Sequence, residues 1–416
     1  MDLELSDDQR AFRDEVRAWL EANVPAEPLE PSSTPEGFEA HRAWEQRLYE
    51  AGYAAIHWPR DYGGRDADLL IQAIFSEEYA RAGAPDRINV LGLGLTGPTL
   101  MQFGTPSQQQ RWLPGILSCA DIWCQGFSEP DAGSDLAGIK ASALREGDEF
   151  VVNGQKVWTS LGRFADWIFA LVRTDRDAPK HRGITFLMIP MDSPGIDVRP
   201  ITQINGDAGF AEVFFTDVRV PVSNVVGEVN DGWRVAMATL GHERGTGLGG
   251  HVRFSKDLRA LVEIVKAVGA DDDPVVRDQV ARLYAETEVF RHHTYRTLTR
   301  LAGGKALGPE ASMTKLYWSE MEARIYEAGM EAMGEAAELE PKADAALPTP
   351  PAQAAPAWHY WQHHYWYARA AAIYAGTSEI QKNIIAERVL GLPREPRGSA
   401  ARDEPPGSAA RDEPRA

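Results

Sequence analysis

The chain has 416 residues, of which 44% are hydrophobic and 25% are charged, and its formal net charge is -18 at pH 7. A chain of this length can bury several hydrophobic cores, so we expect two or three structural regions. The acidic excess argues against a nucleic-acid partner, because binding phosphate backbones requires clustered lysine and arginine.

The cysteines and the N-terminal residues are typical of a cytoplasmic protein. Cys119 and Cys124 are the two cysteines, and no further cysteine or histidine is arranged around them as a disulfide framework or zinc site requires. The N-terminus MDLELSDDQR is acidic, and no run of about 18 uncharged apolar residues occurs. The sequence therefore predicts neither export nor a membrane span.

Residues 1–120 are predicted to form an N-terminal α-helical domain. Ser6 and Gln9 have the spacing of a capping box, and the apolar residues that follow recur at i+4 spacing: Phe12, Val16 and Leu20. This spacing indicates one buried helix face.

Residues 92–97 match the pattern GxGxxG. A dinucleotide-binding loop of this pattern must follow a strand and open a helix in a βαβ unit. Here Pro98 follows at once and the neighbouring segments are predicted to be helical. We therefore interpret these glycines as a bend or as tight helix packing.

Residues 121–228 are predicted to form a middle β domain. Short runs rich in β-branched and aromatic residues occur here: EFVVNGQKVWTS, WIFALVRTD, GITFLMIPM and AEVFFTDVRV. Turn signals are expected between strands, and Asn153-Gly154 is one of them.

Residues 229–394 are rich in alanine, leucine, glutamate and arginine with helical periodicity, which predicts a C-terminal bundle of long antiparallel helices. The Ala/Pro-rich residues 335–356 and the tail of residues 395–416, where GSAARDEP occurs twice, are expected to be disordered. His359 and His363 stand four residues apart, but no third ligand is apparent, so we interpret them as part of an aromatic packing face and predict no metal site.

The segment QGFSEPDAGSD at residues 125–135, followed by NGQKVWTS, carries the candidate chemistry. It offers backbone amides in a loop rich in glycine and proline, the hydroxyls of Ser128 and Ser134, and the flat indole of Trp158. These groups can hydrogen-bond the heteroatoms of a flavin and cover one face of its ring. A surface loop and a core tryptophan would explain them equally well.

Three segments resemble, in order and spacing, the signatures of the acyl-CoA dehydrogenase family: CQGFSEPDAGSDLAGIKASA, VVNGQKVWTS and IYAGTSEIQKNIIAERVLGLPR. The resemblance extends over residues 1–394. It implies an α+β multidomain fold with an N-terminal helical domain, a middle β-barrel domain and a C-terminal four-helix bundle, usually assembled as a tetramer with FAD between the domains. The implied activity is dehydrogenation of an acyl-CoA to the trans-2-enoyl-CoA, with electrons passed to an electron-transferring flavoprotein.

The resemblance also implies roles for single residues. The loop along the flavin ring would contain Gln125, Phe127 and Ser128, and further flavin contacts would come from Trp158 and Ser160. Ser134 would lie near the pantetheine and pyrophosphate of the ligands. The FAD diphosphate region would be touched by Thr377 and Glu379.

The catalytic base departs from the commonest family pattern. Most members place a carboxylate immediately before the Gly-Thr of the C-terminal motif, where this chain has Ala375. A subgroup that includes isovaleryl-CoA and long-chain acyl-CoA dehydrogenases takes the base from a Glu-Arg pair on an earlier helix, which matches Glu243 and Arg244. We therefore expect Glu243 to be the base and expect substrate contacts from Ser134, Arg244, Ala375 and Gly376, with the backbone N–H of Ala375 on the thioester carbonyl.

Two further departures from the family pattern leave the number and identity of the subunits undetermined. The arginine motif that usually reaches a neighbouring subunit's FAD is not visible after Arg253, and the usual loop rich in glutamine and glycine is reduced to residues 330–334. A homotetramer is expected, with a dimer or a heterotetramer as alternatives. The alternative functions are a flavin monooxygenase or oxidase of the same fold, and a subunit of a heteromeric acyl-CoA dehydrogenase. The acyl group is not predicted.

Overall fold

The computed structural model describes residues 5–243, 250–303, 305, 308–338 and 355–394, without the side chains of Glu243, Ala302 and residues 355–360. Arg244, the tail of residues 395–416, most of the Ala/Pro-rich stretch and the side chain of His359 therefore lie outside the described part. Gly334–Glu338 is a short 3₁₀-helix that follows the last long helix before this stretch.

The N-terminal region is helical, as predicted. Its α-helices are α1 (Asp7–Asn23), α2 (Pro35–Glu50), α3 (Leu69–Ala82), α4 (Gly97–Phe103) and α5 (Pro106–Ser118). The capping box at the start of α1 is confirmed, because the Ser6 hydroxyl accepts from the Gln9 backbone and the Gln9 side chain accepts from the Ser6 backbone. Val16 and Leu20 are fully buried on the face that packs against α3.

Residues 92–97 lie in a helix, which confirms that they are not a dinucleotide-binding loop. Gly92–Thr96 forms one π-helical turn that runs directly into α4. A Cβ at Gly92 would lie 2.4 Å from Oδ1 of Asn89, and one at Gly97 would lie 2.1 Å from the Trp58 ring. These glycines therefore permit close packing, as interpreted from the sequence. The π-turn itself was not expected.

The middle region is a curled seven-stranded sheet in the order β1-β4-β2-β3-β7-β6, with β5 paired to β4. Its strands are β1 (Trp123–Gly126), β2 (Ser142–Glu146), β3 (Glu149–Ser160), β4 (Trp167–Arg173), β5 (Ile184–Pro190), β6 (Ile196–Ile201) and β7 (Phe210–Pro221). The pairs β1–β4 and β2–β4 are parallel, and the remaining pairs are antiparallel. β1, β2 and β6 were not singled out in the sequence.

The turn expected at Asn153-Gly154 is wrong. Both residues lie inside β3, where the register to β7 shifts between Val152 and Gly154. Gly154 has φ +144°, and a Cβ there would lie 2.6 Å from Cα of Ala141, so this glycine serves a β-bulge. The hairpin turn lies earlier, at Gly147-Asp148 between the paired residues Glu146 and Glu149.

The C-terminal region is helical. It contains α6 (Gly232–Glu243), α7 (Gly250–Ala267), α8 (Pro274–Ala302), α9 (Ala311–Met333), α10 (Ala355–Ala371) and α11 (Ser378–Ile384), followed by a π-turn at Ile385–Val389. The bundle consists of α7, α8, α9 and α10, which bury a common apolar core around Leu261, Ile325 and Trp361. The predicted α+β order of helices, sheet and helices is thus confirmed. No helix among the described residues is long and apolar enough to cross a membrane.

One loop connects the three regions. Asp207, between β6 and β7, lies 2.5 Å from Nε2 of His363 on α10 and 3.5 Å from the hydroxyl of Ser33, which precedes α2. Asn205 adds a hydrogen bond to the same imidazole at 3.0 Å. His363 therefore contacts the sheet through polar groups, which the aromatic packing interpretation did not include.

Candidate functional site

The predicted flavin loop begins at the end of β1. Because β1 runs parallel to β4, Gln125 lies beside Phe169, and the chain leaves the sheet edge at Gly126. The Phe127 ring is buried edge-on against Phe169 and Phe186, at centroid distances of 5.7 and 6.0 Å. Phe127 therefore anchors the loop in the core.

A buried ion pair fixes the shape of this loop. The Lys156 ammonium lies 2.7 Å from Oε1 of Glu129 and 3.2 Å from the carbonyl oxygen of Phe127. The Glu129 carboxylate also accepts the backbone N–H groups of Lys140 and Ala141, at 2.6 and 3.0 Å. Burial lowers the pKa of Lys156 and the charge of Glu129 opposes that shift. A fully hydrogen-bonded buried pair of this kind holds the backbone in one geometry.

The loop and β3 meet at Ser128. The backbone N–H of Val157 donates to the Ser128 carbonyl at 3.0 Å, which places Trp158 next to this serine. Trp158 has φ +59° at the second bulge of β3, and its side chain is 58% exposed. Ser160, two residues on, pairs with Phe210, and the ring of Phe210 supports the indole edge-on at 6.1 Å. The structure thus brings the predicted contacts of loop and strand together.

Three polar atoms next to or within the predicted cofactor residues have no partner among the described residues. They are Nε2 of Gln125, on the flavin loop, Oγ1 of Thr159, between Trp158 and Ser160, and Oγ of Ser378, next to Thr377. Buried polar atoms are nearly always hydrogen-bonded, because an unpaired one costs free energy. An amide N–H and a hydroxyl left unpaired are suited to the ring heteroatoms and phosphate oxygens of FAD. The residues present therefore fit that cofactor.

Ser134 lies on the outer part of the same loop. It is exposed, beyond the bridge between Glu129 and Ala132. Its neighbour Asp135 forms an ion pair with Lys180. The described hydrogen bonds do not connect Ser134 with Ser128 or Trp158.

The C-terminal motif forms a tight turn before α11. Ala375 and Gly376 have φ values of +52° and +86°, and Nε2 of Gln381 donates to both of their carbonyl oxygens at 3.1 and 3.3 Å. The Thr377 hydroxyl caps α11 by accepting from the Ile380 backbone at 3.2 Å, and Glu379 is exposed in the first helical turn. Within the described residues no acceptor takes the N–H of Ala375, so this donor is free for a ligand. Among the described hydrogen bonds, none links this turn to the flavin loop.

Glu243 is the last residue of α6. This helix packs against the π-turn and α4, and a buried hydrogen bond of 2.9 Å joins the hydroxyls of Thr239 and Thr99 across that contact. Glu243 follows Thr239 by four positions, which is about one helical turn. The backbone of Glu243 therefore lies one helical turn beyond the contact of α6 with α4. The side chain of Glu243 and the whole of Arg244 lie outside the described part.

Two histidines that the sequence analysis did not single out lie in this region. Nε2 of His57 lies 3.3 Å from the Leu93 carbonyl in the π-turn, and Nε1 of Trp58 donates to the same oxygen at 2.9 Å. Nε2 of His242 is buried, and the described residues offer it no hydrogen-bond partner. Burial lowers the pKa of both imidazoles. A sequence signal existed, since His57 interrupts the apolar segment AAIHW and His242 directly precedes Glu243.

The described residues contain no group of three or more histidine, cysteine, aspartate or glutamate side chains suited to a metal ion. Cys119 and Cys124 are buried free thiols, and burial raises the pKa of Cys119 to about 12. Neither thiol is therefore a candidate nucleophile.

Three family models match the chain in succession. The acyl-CoA dehydrogenase N-terminal domain matches residues 6–120, the middle domain residues 124–218 and the C-terminal domain residues 230–390. Among curated proteins, acyl-CoA dehydrogenase IpdE1 of Mycobacterium tuberculosis is 42% identical over 94% of this chain and 100% of its own length. Acyl-CoA dehydrogenase FadE26 of the same organism is 33% identical over 94% of this chain and 98% of its length.

Solved structures agree with this similarity. The Tcur3481-Tcur3483 steroid ACAD superposes with a TM-score of 0.82 at 31% identity, covering 95% of this chain and 100% of that chain. The ChsE4-ChsE5 complex from Mycobacterium tuberculosis gives a TM-score of 0.78 at 32% identity, covering 95% of this chain and 100% of that chain.

Proposed function

Because the chain belongs to the acyl-CoA dehydrogenase family of oxidoreductases, we propose that it binds FAD and desaturates an acyl-CoA between its α and β carbons to the trans-2-enoyl-CoA. The observations that support the cofactor are the buried, unpartnered amide of Gln125 on the loop and the exposed indole of Trp158 on the strand that pairs with this loop at Ser128. An aromatic face with nearby hydrogen-bonding groups is what binding a flavin ring requires.

The proposed cofactor site has two parts. Backbone groups from Gln125 to Ser128, together with Trp158 and Ser160, would hold the flavin ring. Thr377, Ser378 and Glu379 would lie near the diphosphate, where the unpartnered hydroxyl of Ser378 can donate to a phosphate oxygen. FAD, when bound, supplies the acceptor for the hydride that leaves the β carbon.

The proposed chemistry requires a base and an electrophilic contact. The α proton of a thioester is too weakly acidic for a bare carboxylate, so the developing enolate must be stabilised. The N–H of Ala375 has no acceptor among the described residues and is the proposed donor to the thioester carbonyl. Glu243 is the proposed base, as in the subgroup with its carboxylate on the earlier helix, with Arg244 and Gly376 beside the ligand. Ser134 would lie along the pantetheine.

The proposed substrate is the CoA thioester of a steroid-derived acid. The support is similarity to a protein described as a steroid ACAD, across 95% of this chain. Electrons would pass to an electron-transferring flavoprotein.

A second candidate function is that of one subunit in a heteromeric acyl-CoA dehydrogenase. It is favoured by the similarity to the ChsE4-ChsE5 complex and by the missing arginine motif after Arg253. Arg253 instead forms an ion pair with Glu322 on α9. The chain purified alone would then hold much less than one FAD per chain, and co-expression with a second acyl-CoA dehydrogenase chain would restore it. Full occupancy in a homotetramer would contradict this candidate.

The test of the proposed function is anaerobic bleaching of the bound flavin by a panel of acyl-CoA thioesters. We expect loss of the oxidised flavin absorbance with at least one thioester and appearance of the enoyl-CoA. Rapid oxygen consumption without any acyl-CoA would instead favour the monooxygenase or oxidase alternative. Absence of flavin after gentle purification, with failure to reconstitute with FAD alone and with a second chain, would contradict the proposal.

A further inference from the structure

The contact between α6 and the π-turn contains two imidazoles that no other part of the proposed function uses. His242 lies near the end of α6, and His57 lies in the segment that precedes the 3₁₀-turn Arg60–Tyr62. His57 hydrogen-bonds the Leu93 carbonyl of the π-turn, and α6, which carries His242, packs against the same turn, so both imidazoles lie at this contact. Burial is the largest cause of the lowered pKa of both rings and favours their neutral forms.

The hydrogen bond of His57 fixes which of its nitrogens carries the proton. A carbonyl oxygen only accepts, so Nε2 of His57, 3.3 Å from the Leu93 oxygen, must be the donor. In the neutral ring Nδ1 then keeps a lone pair and is an acceptor. The Leu93 oxygen is also held by Trp58 at 2.9 Å, so the π-turn and the indole together orient this imidazole.

His242 differs from His57 in its hydrogen bonding. Its Nε2 is buried, and no described residue pairs with it. A buried ring nitrogen without a partner is unfavourable, and a ligand or water that hydrogen-bonds there removes that cost. His242 directly precedes Glu243, the proposed base, and neighbouring side chains of a helix point about 100° apart, so a group bound to His242 would lie further along the acyl chain than the reacting carbons.

We propose that His57 and His242 form a polar end of the acyl-binding site that recognises an oxygen substituent on the acyl group. This inference rests on the proposed function, because it takes α6 as a wall of the acyl site. A hydroxyl can donate to Nδ1 of His57 and accept from His242, whereas a carbonyl can only accept. Hydroxylated and oxo acyl chains both carry an oxygen that these imidazoles could bind, and the probe series compares the two kinds of substituent.

The experiment uses the FAD-loaded enzyme and a matched probe series. The probes are octanoyl-CoA and its derivatives with one hydroxyl or one oxo group at carbons 5 to 8. The kcat/KM for flavin reduction should be at least about tenfold higher for one hydroxylated probe than for octanoyl-CoA, since one satisfied buried hydrogen bond is worth about that ratio. The oxo probe at the same carbon should fall between the two.

The variant His242→Phe should remove this preference mainly through KM, so that the ratio of kcat/KM for the hydroxylated probe to that for octanoyl-CoA falls to about one. His242→Asn, which keeps a donor, should retain part of it and guards against a packing defect in the Phe variant. His293→Phe is the matched control, because His293 is a half-buried imidazole on α8 whose pKa burial also lowers. It should keep the full preference.

Binding of the same probes to the Glu243→Gln holoenzyme, measured by calorimetry, gives the preference without turnover. Equal affinity for octanoyl-CoA and all oxygenated probes would overturn the proposal and leave only water at His242. A preference that survives in His242→Phe would overturn it as well. Failure of the proposed function is distinct, because then no thioester would bleach the flavin although the probes could still bind.

Discussion

The Lys156 ammonium and the Glu129 carboxylate form a hydrogen-bonded ion pair of 2.7 Å in which the lysine is 0% exposed and the glutamate 7%. Replacing one member, as in Lys156→Met, leaves a buried charge without its partner and should lower the free energy of unfolding by about 3–5 kcal/mol. The double variant Glu129→Gln with Lys156→Met should recover part of that loss. Chemical denaturation measures both.

The control for that pair is Lys140→Met. Lys140 contacts Asp131 at 3.1 Å, but both side chains are 75% exposed, and exposed pairs contribute little. Its effect should stay within about 0.5 kcal/mol. An equal loss in both variants would show that the buried pair has no special role in holding the flavin loop.

The Glu243→Gln variant should bind acyl-CoA but reduce the flavin about two to four orders of magnitude more slowly, because the positioned base is lost while side-chain size is kept. Rapid-mixing spectroscopy of the reductive step is the measurement. The exposed Glu228→Gln is the control and should reduce at the wild-type rate.

The assignment of Glu243 as the base can also be tested by restoring activity with a carboxylate at a second position. Ala375→Glu combined with Glu243→Gly should restore part of the rate, because in the family both positions reach the same α proton. Near wild-type reduction by Glu243→Gln alone would mean that another base operates.

The turn at Ala375 and Gly376 predicts opposite effects at neighbouring positions. Gly376 has φ +86°, and a Cβ there would lie 2.6 Å from Nε2 of Gln381, so Gly376→Ala should cost about 1–3 kcal/mol and displace the bonds of Gln381. Ala375 already has φ +52°, so Ala375→Gly should be neutral or slightly stabilising. Denaturation midpoints and the KM for the acyl-CoA test this, and equal losses at both positions would contradict it.

Stability should fall as the pH decreases through the histidine range. The folded-state pKa values of His57 and His242 lie below the ordinary value of 6.5, so the unfolded chain binds more protons there. The contribution is complete above that value and decreases as the pH falls below it. Urea midpoints at about pH 7.5 and 5.5 should therefore differ less in His57→Gln than in the wild type or in the exposed control His292→Gln. An unchanged difference in His57→Gln would contradict this.

Truncation after Arg394 should leave thermal stability and activity unchanged. The removed tail, residues 395–416, contains the repeated GSAARDEP unit, which has no apolar side chain larger than alanine or proline to bury. A clear loss of either property would show that the tail packs or bridges subunits.

Local signals with a direct mechanism predicted their structures well. The Ser6 and Gln9 pair predicted a capping box because both partners are three residues apart on one chain segment. The long β-rich runs form β3, β4, β5 and β7, because the β-branched and aromatic residues within each run already favour a strand. Family motifs also located the residues that meet at Ser128 and Trp158, and the structure shows why Trp158 is exposed at a bulge.

Signals that depend on distant partners were missed or misread. Asn153-Gly154 has turn chemistry, but pairing with β7 placed it in a bulge while Gly147-Asp148 took the turn. His57 and His242 are 185 positions apart in the chain, and only the packing of α6 on the π-turn brings them close. Sequence spacing cannot report such a pair, because each histidine is visible only singly, His57 in an apolar segment and His242 beside Glu243.

The π-turn at Gly92–Thr96 also makes this helix sensitive to chain length. A π-turn is an α-helix that carries one additional residue, so deleting a single residue between Gly92 and Thr96 would convert the segment to continuous α-helix. The Leu93 carbonyl would then be drawn into regular α-helical hydrogen bonding and away from Trp58 and His57. One-residue deletions here should therefore be tolerated far less than substitutions at the same positions.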